Sequence, residues 1–114
     1  MDSKQLALET ARVLSEKQAI DIRIIEISQK SSIADYLIVT SGGSDRQVGG
    51  LSDAVEERMD ELGQTPKSIA GRRGSGWVLM DYGDVIVNIF NPELRERYNL
   101  EGVWGDCKLL EFEE

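Results

Sequence analysis

The chain contains no histidine. This absence excludes Ser-His-Asp and Cys-His catalysis, imidazole metal ligands and the usual pH switch near neutrality. Cysteine occurs once, as Cys107, which excludes an internal disulfide and a multi-cysteine zinc site and fits a reducing compartment. We interpret Cys107 as a small filler residue, because no histidine or other base lies near it in the sequence. Any catalysis would have to use carboxylates, lysines or hydroxyls.

Positive charge is also scarce. The chain has 21 acidic and 13 basic residues, which leaves a formal net charge of −8. This is the wrong sign for a protein that binds phosphate backbones with its whole surface, so we expect no sequence-specific nucleic-acid partner. A basic protein partner fits the charge better, and solubility alone is the other explanation.

Long apolar runs are missing as well. No run approaches the roughly 18 to 20 residues that a membrane span requires, and the first four residues do not lead into a signal-peptide core. We therefore expect a cytoplasmic protein without a membrane partner. Its 114 residues are the length of one ordinary domain, so residues 1–114 are predicted to form a single domain.

In the first half of the chain, the spacing of apolar residues predicts both helices and strands. Residues 3–17 contain no glycine or proline and carry an apolar helical stripe, whereas residues 21–27 and 36–40 are rich in β-branched side chains. Ser44 and Gln47 then have the spacing of a capping box. They predict a second helix, with apolar residues at steps of three and four, that ends at a glycine before a proline.

The second half predicts strands at residues 77–81 and 85–90 around a two-residue turn led by Gly83, which suits type II′. A short edge strand at residues 68–70 and a glycine-rich loop at residues 71–76 precede them. The strand at residues 85–90 is apolar on both faces and is predicted to be central. Asn91, followed by proline and glutamate, predicts a short helix that ends near residue 98. This element order indicates an α/β fold with a mixed β-sheet packed against helices.

One candidate site is the turn at residues 41–44, between a strand and a helix N-terminus, where free amides favour an anion. It lacks the lysine of a P-loop, so a plain turn is the other interpretation. A metal-dependent nucleotidyltransferase would need two acids side by side on one strand. Asp81 and Asp84 instead stand across a tight turn, and Asp53 lies in the second helix. We therefore predict no catalytic residue, no metal and no cofactor, and a nucleotide-binding or nucleotidyltransferase-like enzyme using residues 41–44 stays as the alternative.

The aromatic residues concentrate near the C-terminal end. Every large aromatic residue except Tyr36 follows position 76, among several acidic residues, which is the composition of an interface with aromatic anchors and an acidic rim. Core packing is the alternative, favoured for Phe90 and evenly balanced for Trp77. Trp104, between two glycines, is predicted to be the best exposed anchor. Arg72 and Arg73 are interpreted as part of a solvated loop, because two charges are not a nucleic-acid patch.

Three strings are more specific: ADYLIVTSGGSDRQV at residues 34–48, WVLMDYGDVIVNIF at residues 77–90 and ERYNLEGVWGD at residues 96–106. In this order they closely resemble the ribosomal silencing factor family, also called RsfS or Iojap-like proteins. The resemblance implies a fold similar to nucleotidyltransferases without their catalytic acids. It also implies a non-enzymatic factor that binds large-subunit ribosomal protein fourteen (uL14). Such a factor sterically blocks association of the ribosomal subunits and represses translation when nutrients are limiting, and some family members are homodimers.

The resemblance also suggests contact residues. The positions that match the strongest family motifs are Trp77, Leu79, Asp81, Tyr82, Asp84, Tyr98, Leu100, Trp104 and Asp106. Two departures stand beside them: Asn88 occupies a position where the family commonly has histidine, and Gly102 with Val103 replaces a larger polar or basic residue followed by leucine. Asn88 keeps a hydrogen-bonding group but cannot change its charge, so no pH-dependent role is expected there.

Overall fold

The computed structural model describes residues 1–71 and 74–112. Arg72 and Arg73, which the sequence placed in a solvated loop, lie outside the described residues. The elements in chain order are α1 (Ser3–Glu16), β1 (Ile20–Glu26), β2 (Tyr36–Ser41), α2 (Asp45–Glu61), β3 (Ser68–Ala70), β4 (Trp77–Asp81), β5 (Val85–Phe90), α3 (Pro92–Tyr98), α4 (Leu100–Val103) and β6 (Lys108–Leu110). In the described part of the chain, no helix is long and apolar enough to cross a membrane.

The strands form one six-stranded sheet in the order β3-β4-β5-β2-β1-β6. Neighbouring strands are antiparallel except for β2 and β5, which run parallel from the pair Tyr36 and Val85 to the pair Ser41 and Phe90. The predicted α/β class with a mixed sheet is therefore confirmed. So is the central position of β5, which lies between β4 and β2.

The two faces of the sheet are covered by different parts of the chain. On one face, α1 and α2 pack over β1, β2, β4 and β5 and enclose the main core. On the other face, a smaller cluster contains Phe90, Ile25 and Leu37, and residues from α3, α4 and the tail pack against it. All six residues of β2 are buried, because this strand has apolar neighbours on both faces.

The hairpin turn between β4 and β5 is a two-residue loop led by glycine, which agrees with the predicted type II′ turn. The amide of Tyr82 donates to the carbonyl oxygen of Val85 at 2.9 Å, which closes a two-residue loop. Gly83 has a φ of +90°, whereas Asp84 is not among the positive-φ residues. Only the first loop residue is in the left-handed half of φ space, as type II′ requires, and glycine adopts it without steric cost.

The ends of α2 and α3 follow their predicted signals with one correction. The Ser44 hydroxyl accepts a hydrogen bond from the Gln47 amide, as expected of an N-cap. The Gln47 side chain, however, accepts from the Gly43 amide at 2.6 Å and not from the Ser44 amide of a capping box. At α3, the Asn91 side chain accepts from the Leu94 amide at 2.8 Å, which confirms the predicted cap.

The tail after α3 is more regular than the sequence predicts. Asn99 turns the chain with a left-handed φ of 45° and caps the short helix α4. The three-residue strand β6 then pairs antiparallel with β1, with Leu109 opposite Ile25. This pairing folds the tail back over the smaller cluster, so Trp104 is half-buried and packs against that cluster. The prediction that Trp104 is an exposed side chain is therefore wrong.

Candidate protein-binding site

Half-buried side chains lie side by side on the face of β4 and β5 that is turned away from α1 and α2. Along β4, Val78 and Met80 are buried in the main core, whereas the alternating residues point to the other face and stay half-buried. Their partners across the ladder come from β5, where Ile86 is half-buried and Asn88 is buried. We call this surface the open face, and it consists of Trp77, Leu79, Asp81, Ile86 and Asn88.

An aromatic cluster borders the open face. The Trp77 ring stacks on Phe90 with centroids 4.9 Å apart and meets Tyr98 of α3 at 4.8 Å. Phe90 is fully buried at the base of the cluster, and Tyr98 is 49% exposed at its outer side. A rigid aromatic ring with one side open to solvent is the kind of side chain that anchors protein interfaces.

Trp77 is also held by a hydrogen bond. Its indole Nε1 donates to the side-chain oxygen Oδ1 of Asn88 at 3.1 Å. Asn88 is buried, and its Nδ2 has no hydrogen-bond partner among the residues that the structure describes. The carboxamide therefore uses its acceptor within the site and leaves its donor without an acceptor.

Carboxylates gather at the end of the sheet that carries the β4–β5 turn. Four of them end or immediately precede strands at this end: Glu26, Asp35, Asp81 and Asp84. The register supports this grouping, because Tyr36 at the start of β2 pairs with both Glu26 and Val85. Burial raises the pKa of Tyr36, and the negative charges of Glu26 and Asp35 raise it further. One end of the open face therefore has an acidic border.

The predicted contact residues do not form a single surface. Trp77, Leu79 and Asp81 lie together on the open face, Tyr98 adjoins them, and Asp84 is exposed in the turn at its end. The open face also includes Ile86 and Asn88, which the motif comparison did not select as contacts. The alternation of β5 could have found them, since both share the face of Phe90.

The other predicted contacts lie apart from the open face. Tyr82 is half-buried against the main core on the opposite side of the sheet. Leu100 and Trp104 pack against the smaller cluster near Cys107. Asp106 is exposed and forms an ion pair with Lys30. A binding role for these four residues stays a prediction. They lie outside the open face, so a partner bound there would contact other residues.

The turn at residues 41–44 has its polar groups engaged within the protein. The amide of Gly42 donates to the Phe90 carbonyl oxygen at 2.9 Å, and the Gly43 amide donates to the Gln47 side chain. The Ser41 hydroxyl accepts from Arg95 at 3.0 Å. A Cβ at Gly42 would stand 2.9 Å from the Val48 amide nitrogen, so glycine here serves close packing of the turn on α2. This geometry favours the plain strand-to-helix turn over a nucleotide site.

In residues 1–71 and 74–112, the acidic and cysteine side chains form no group of three or more that could hold a metal ion. Asp81 is half-buried and accepts from the Gly83 amide at 2.8 Å, whereas Asp84 is exposed. Asp21, on β1, has a lowered pKa because Arg23 donates a hydrogen bond to its carboxylate. The arrangement on the open face suits binding through shape, aromatic contact and charge.

Several known proteins are similar to this chain in sequence and fold. A family model described as "Ribosomal silencing factor during starvation" matches residues 1–114. The chain is 34% identical to ribosomal silencing factor RsfS of Bacillus subtilis, over 99% of this chain and 96% of that protein. It is 41% identical to RsfS of Zymomonas mobilis, over 81% of this chain and 69% of that protein. A crystal structure of a Chromobacterium violaceum protein superposes with a TM-score of 0.89 at 30% identity, covering 92% of this chain and 88% of that one.

Proposed function

Because the chain belongs to the ribosomal silencing factor family, we propose that it binds ribosomal protein fourteen of the large subunit and blocks subunit association. Family membership implies association with the ribosome. The finer proposal is that the open face is the contact surface, and that the bound protein occupies space which the small subunit needs. Translation is then repressed by occupancy and not by chemical modification.

The observation that carries this proposal is the open face itself. Trp77 and Leu79 present apolar surface there, and the aromatic cluster holds Tyr98 beside them with half of its surface exposed. Asp81 and Asp84 add negative charge at the border. A rigid apolar centre with a charged rim is the usual anatomy of a protein–protein interface, and the acidic rim suits a basic ribosomal protein.

A pair of matched variants tests the contact surface. Leu79→Glu places a charge at the centre of the open face and is expected to abolish co-sedimentation with isolated large subunits, because the charge must be desolvated on binding. Leu8→Glu is the control, since Leu8 is also a half-buried leucine but packs on the main core at the opposite side of the sheet. Circular dichroism checks that both variants are folded.

Isolated protein fourteen, titrated against the same variants, identifies the partner. We expect it to bind the unmodified chain and Leu8→Glu but not Leu79→Glu. Equal binding of both variants to large subunits would refute the open face as the contact surface. Binding to large subunits without binding to protein fourteen would refute the named partner. A homodimer, which some family members form, would show as two copies per occupied subunit.

A further inference from the structure

Asn88 is the buried residue of the open face. The indole of Trp77 extends toward it from the neighbouring strand β4. In the ladders, Asn88 pairs with Leu79 of β4 on one side and Val39 of β2 on the other. Trp77 is two residues before Leu79 on the same face, so its indole reaches Asn88 diagonally and donates to Oδ1 at 3.1 Å. This hydrogen bond connects a buried side chain to the partly exposed ring that we assign to the interface.

The carboxamide of Asn88 accepts a hydrogen bond through Oδ1 but donates none through Nδ2 within the described part of the chain. The residue is 1% exposed, and its Nδ2 has no acceptor among the described residues. A buried donor without an acceptor destabilises the folded state. Leucine has a similar volume and would fill the position without an unsatisfied donor. Within the described part of the chain, the hydrogen bond from the Trp77 indole is the one polar contact of the Asn88 side chain.

The orientation of Trp77 determines the shape of the open face. Its ring lies against Phe90 and against Tyr98, and contact between rings does not by itself fix which edge of the indole faces Asn88. The hydrogen bond from Nε1 to Oδ1 of Asn88 fixes that edge. The ring of Tyr98 contacts the indole held in this way, with centroids 4.8 Å apart.

We propose that Asn88 is a positioning residue for partner binding, which acts by fixing the Trp77 indole and, through it, Tyr98. This inference rests on the proposed function of the open face. Asn88 itself is too buried to touch a partner, so its effect on binding passes through Trp77. The residues paired with Asn88, Leu79 and Val39, are uncharged; the open face carries the titratable group of Asp81 further along β4, and Tyr98 of α3 lies against Trp77.

Two substitutions at position 88 separate positioning from packing. Asn88→Leu keeps the volume and removes the acceptor. Asn88→His keeps an acceptor only while the imidazole is neutral, because the protonated ring has two donors and no acceptor. Thr40→Val is the matched control: it removes a buried hydroxyl that donates to Ile20 at 2.8 Å, on the opposite face of β2 from Val39.

Three measurements apply to each variant at pH 8 and at a lower pH at which NMR shows that the imidazole of Asn88→His is protonated, because burial lowers the histidine pKa from its ordinary value of about 6.5. Affinity for isolated large subunits is measured by co-sedimentation and expressed relative to the unmodified chain at the same pH. The indole N–H resonance of Trp77 is followed by NMR, assigned with a Trp104→Phe variant. The melting temperature reports folding.

Asn88→Leu is expected to weaken binding roughly tenfold at both pH values, the effect of one lost hydrogen bond. It should also move the Trp77 indole resonance. Asn88→His should bind within about threefold of the unmodified chain at pH 8 and lose roughly a further tenfold at the lower pH, where its acceptor is protonated. Thr40→Val should lower the melting temperature and leave the relative affinity unchanged.

Several results would overturn the inference. If Asn88→Leu moves the indole resonance but binds like the unmodified chain, the orientation of Trp77 does not matter for binding. If affinity follows melting temperature across all variants, Asn88 has only a packing role. If Asn88→Leu does not fold, the pH dependence of Asn88→His decides, and an affinity that stays constant while NMR shows the imidazole becoming protonated rejects positioning. Failure of the unmodified chain to bind large subunits would reject the proposed function, and this inference with it.

Discussion

Tyr98 and Trp104 are both aromatic residues of the C-terminal segment, yet their surroundings differ. Tyr98 is 49% exposed and contacts Trp77 at the border of the open face. Trp104 is half-buried against the smaller cluster, beside the cavity of about 230 Å³ that Cys107 and Leu109 also line. The first side chain is available to a partner, whereas the second stabilises the tail against the sheet.

Alanine substitutions should separate these two roles. Trp104→Ala is expected to lower the free energy of unfolding by about 2 to 3 kcal/mol, less than for a fully buried tryptophan. Tyr98→Ala should cost about 1 kcal/mol or less in stability but weaken binding to large subunits by roughly tenfold or more. Urea denaturation and co-sedimentation on the same preparations measure both effects. If Trp104→Ala is as stable as the unmodified chain and loses binding, Trp104 is a contact residue after all.

At the scale of elements, Arg95 connects the helix α3 to the sheet. Its side chain is 11% exposed and donates to Glu101 at 2.9 and 3.2 Å. It also donates to the carbonyl oxygens of Ile20 and Asp21 at 3.0 and 2.7 Å and to the Ser41 hydroxyl. A guanidinium has five donors in a fixed plane, so one side chain can join α4, the start of β1 and the end of β2.

Removal of this guanidinium should loosen α3 from the sheet. Arg95→Met is expected to lower the free energy of unfolding by about 2 to 4 kcal/mol, because several charge-assisted hydrogen bonds are lost and Glu101 keeps an unpaired charge. Arg97→Met on the same helix is the control, since Arg97 is exposed. Urea denaturation measures both. Equal stability of the two variants would show that the Arg95 network contributes nothing beyond a surface ion pair.

The elements that the sequence predicts well are those with a complete local signal. The helix α2 has an N-cap, a regular apolar stripe and Gly63 at a φ of +76°, and the β4–β5 hairpin has Gly83 where a positive φ is required. The strand β6 has only three residues, too few for an alternation of apolar and polar side chains to predict a strand. It is recognised only by its pairing with β1. The order of strands is equally invisible, because the parallel pairing of β2 with β5 joins distant segments.

The open face shows the same division. Alternation within β4 places Trp77, Leu79 and Asp81 on one side from the sequence alone. Which face of the sheet stays uncovered depends on where α1 and α2 pack, and this tertiary packing cannot be deduced from local sequence patterns. Trp104 departs from its prediction for the same reason: the nearby glycines indicate an irregular exposed segment, but the unpredicted strand β6 brings this segment back onto the sheet.

At the scale of the whole molecule, part of the negative charge lies beside the open face. The formal net charge is −8, and strand ends bring Glu26, Asp35, Asp81 and Asp84 to one end of the sheet beside the open face. Charges at the border of an interface mainly raise the rate of association with a partner of opposite charge. Because a net negative charge repels RNA, we expect docking to be restricted to exposed basic protein on the subunit surface.

Association with isolated protein fourteen should therefore slow as salt rises from low to physiological concentration, because salt screens the steering field. The double substitution Asp81→Asn with Asp84→Asn is expected to lower the association rate and reduce its dependence on salt. Asp53→Asn with Asp60→Asn is the control, since it removes the same charge from exposed positions on α2. Stopped-flow rates measure the effect. A rate that is constant or increases with salt would contradict electrostatic steering.

The proposed repression by occupancy predicts the number of copies that inhibition requires. Under this proposal each bound copy removes one large subunit and is not turned over, so inhibition of subunit joining is expected to saturate near one copy per subunit. Washing the inhibited large subunits in high salt should restore joining, because the proposed interface is non-covalent and salt screens its charged border. An enzyme that modified ribosomes would instead act at substoichiometric amounts and leave subunits inactive after the wash. A joining assay, titrated with the protein and repeated on washed subunits, measures both properties, and inhibition that is substoichiometric and survives washing would replace occlusion with catalysis.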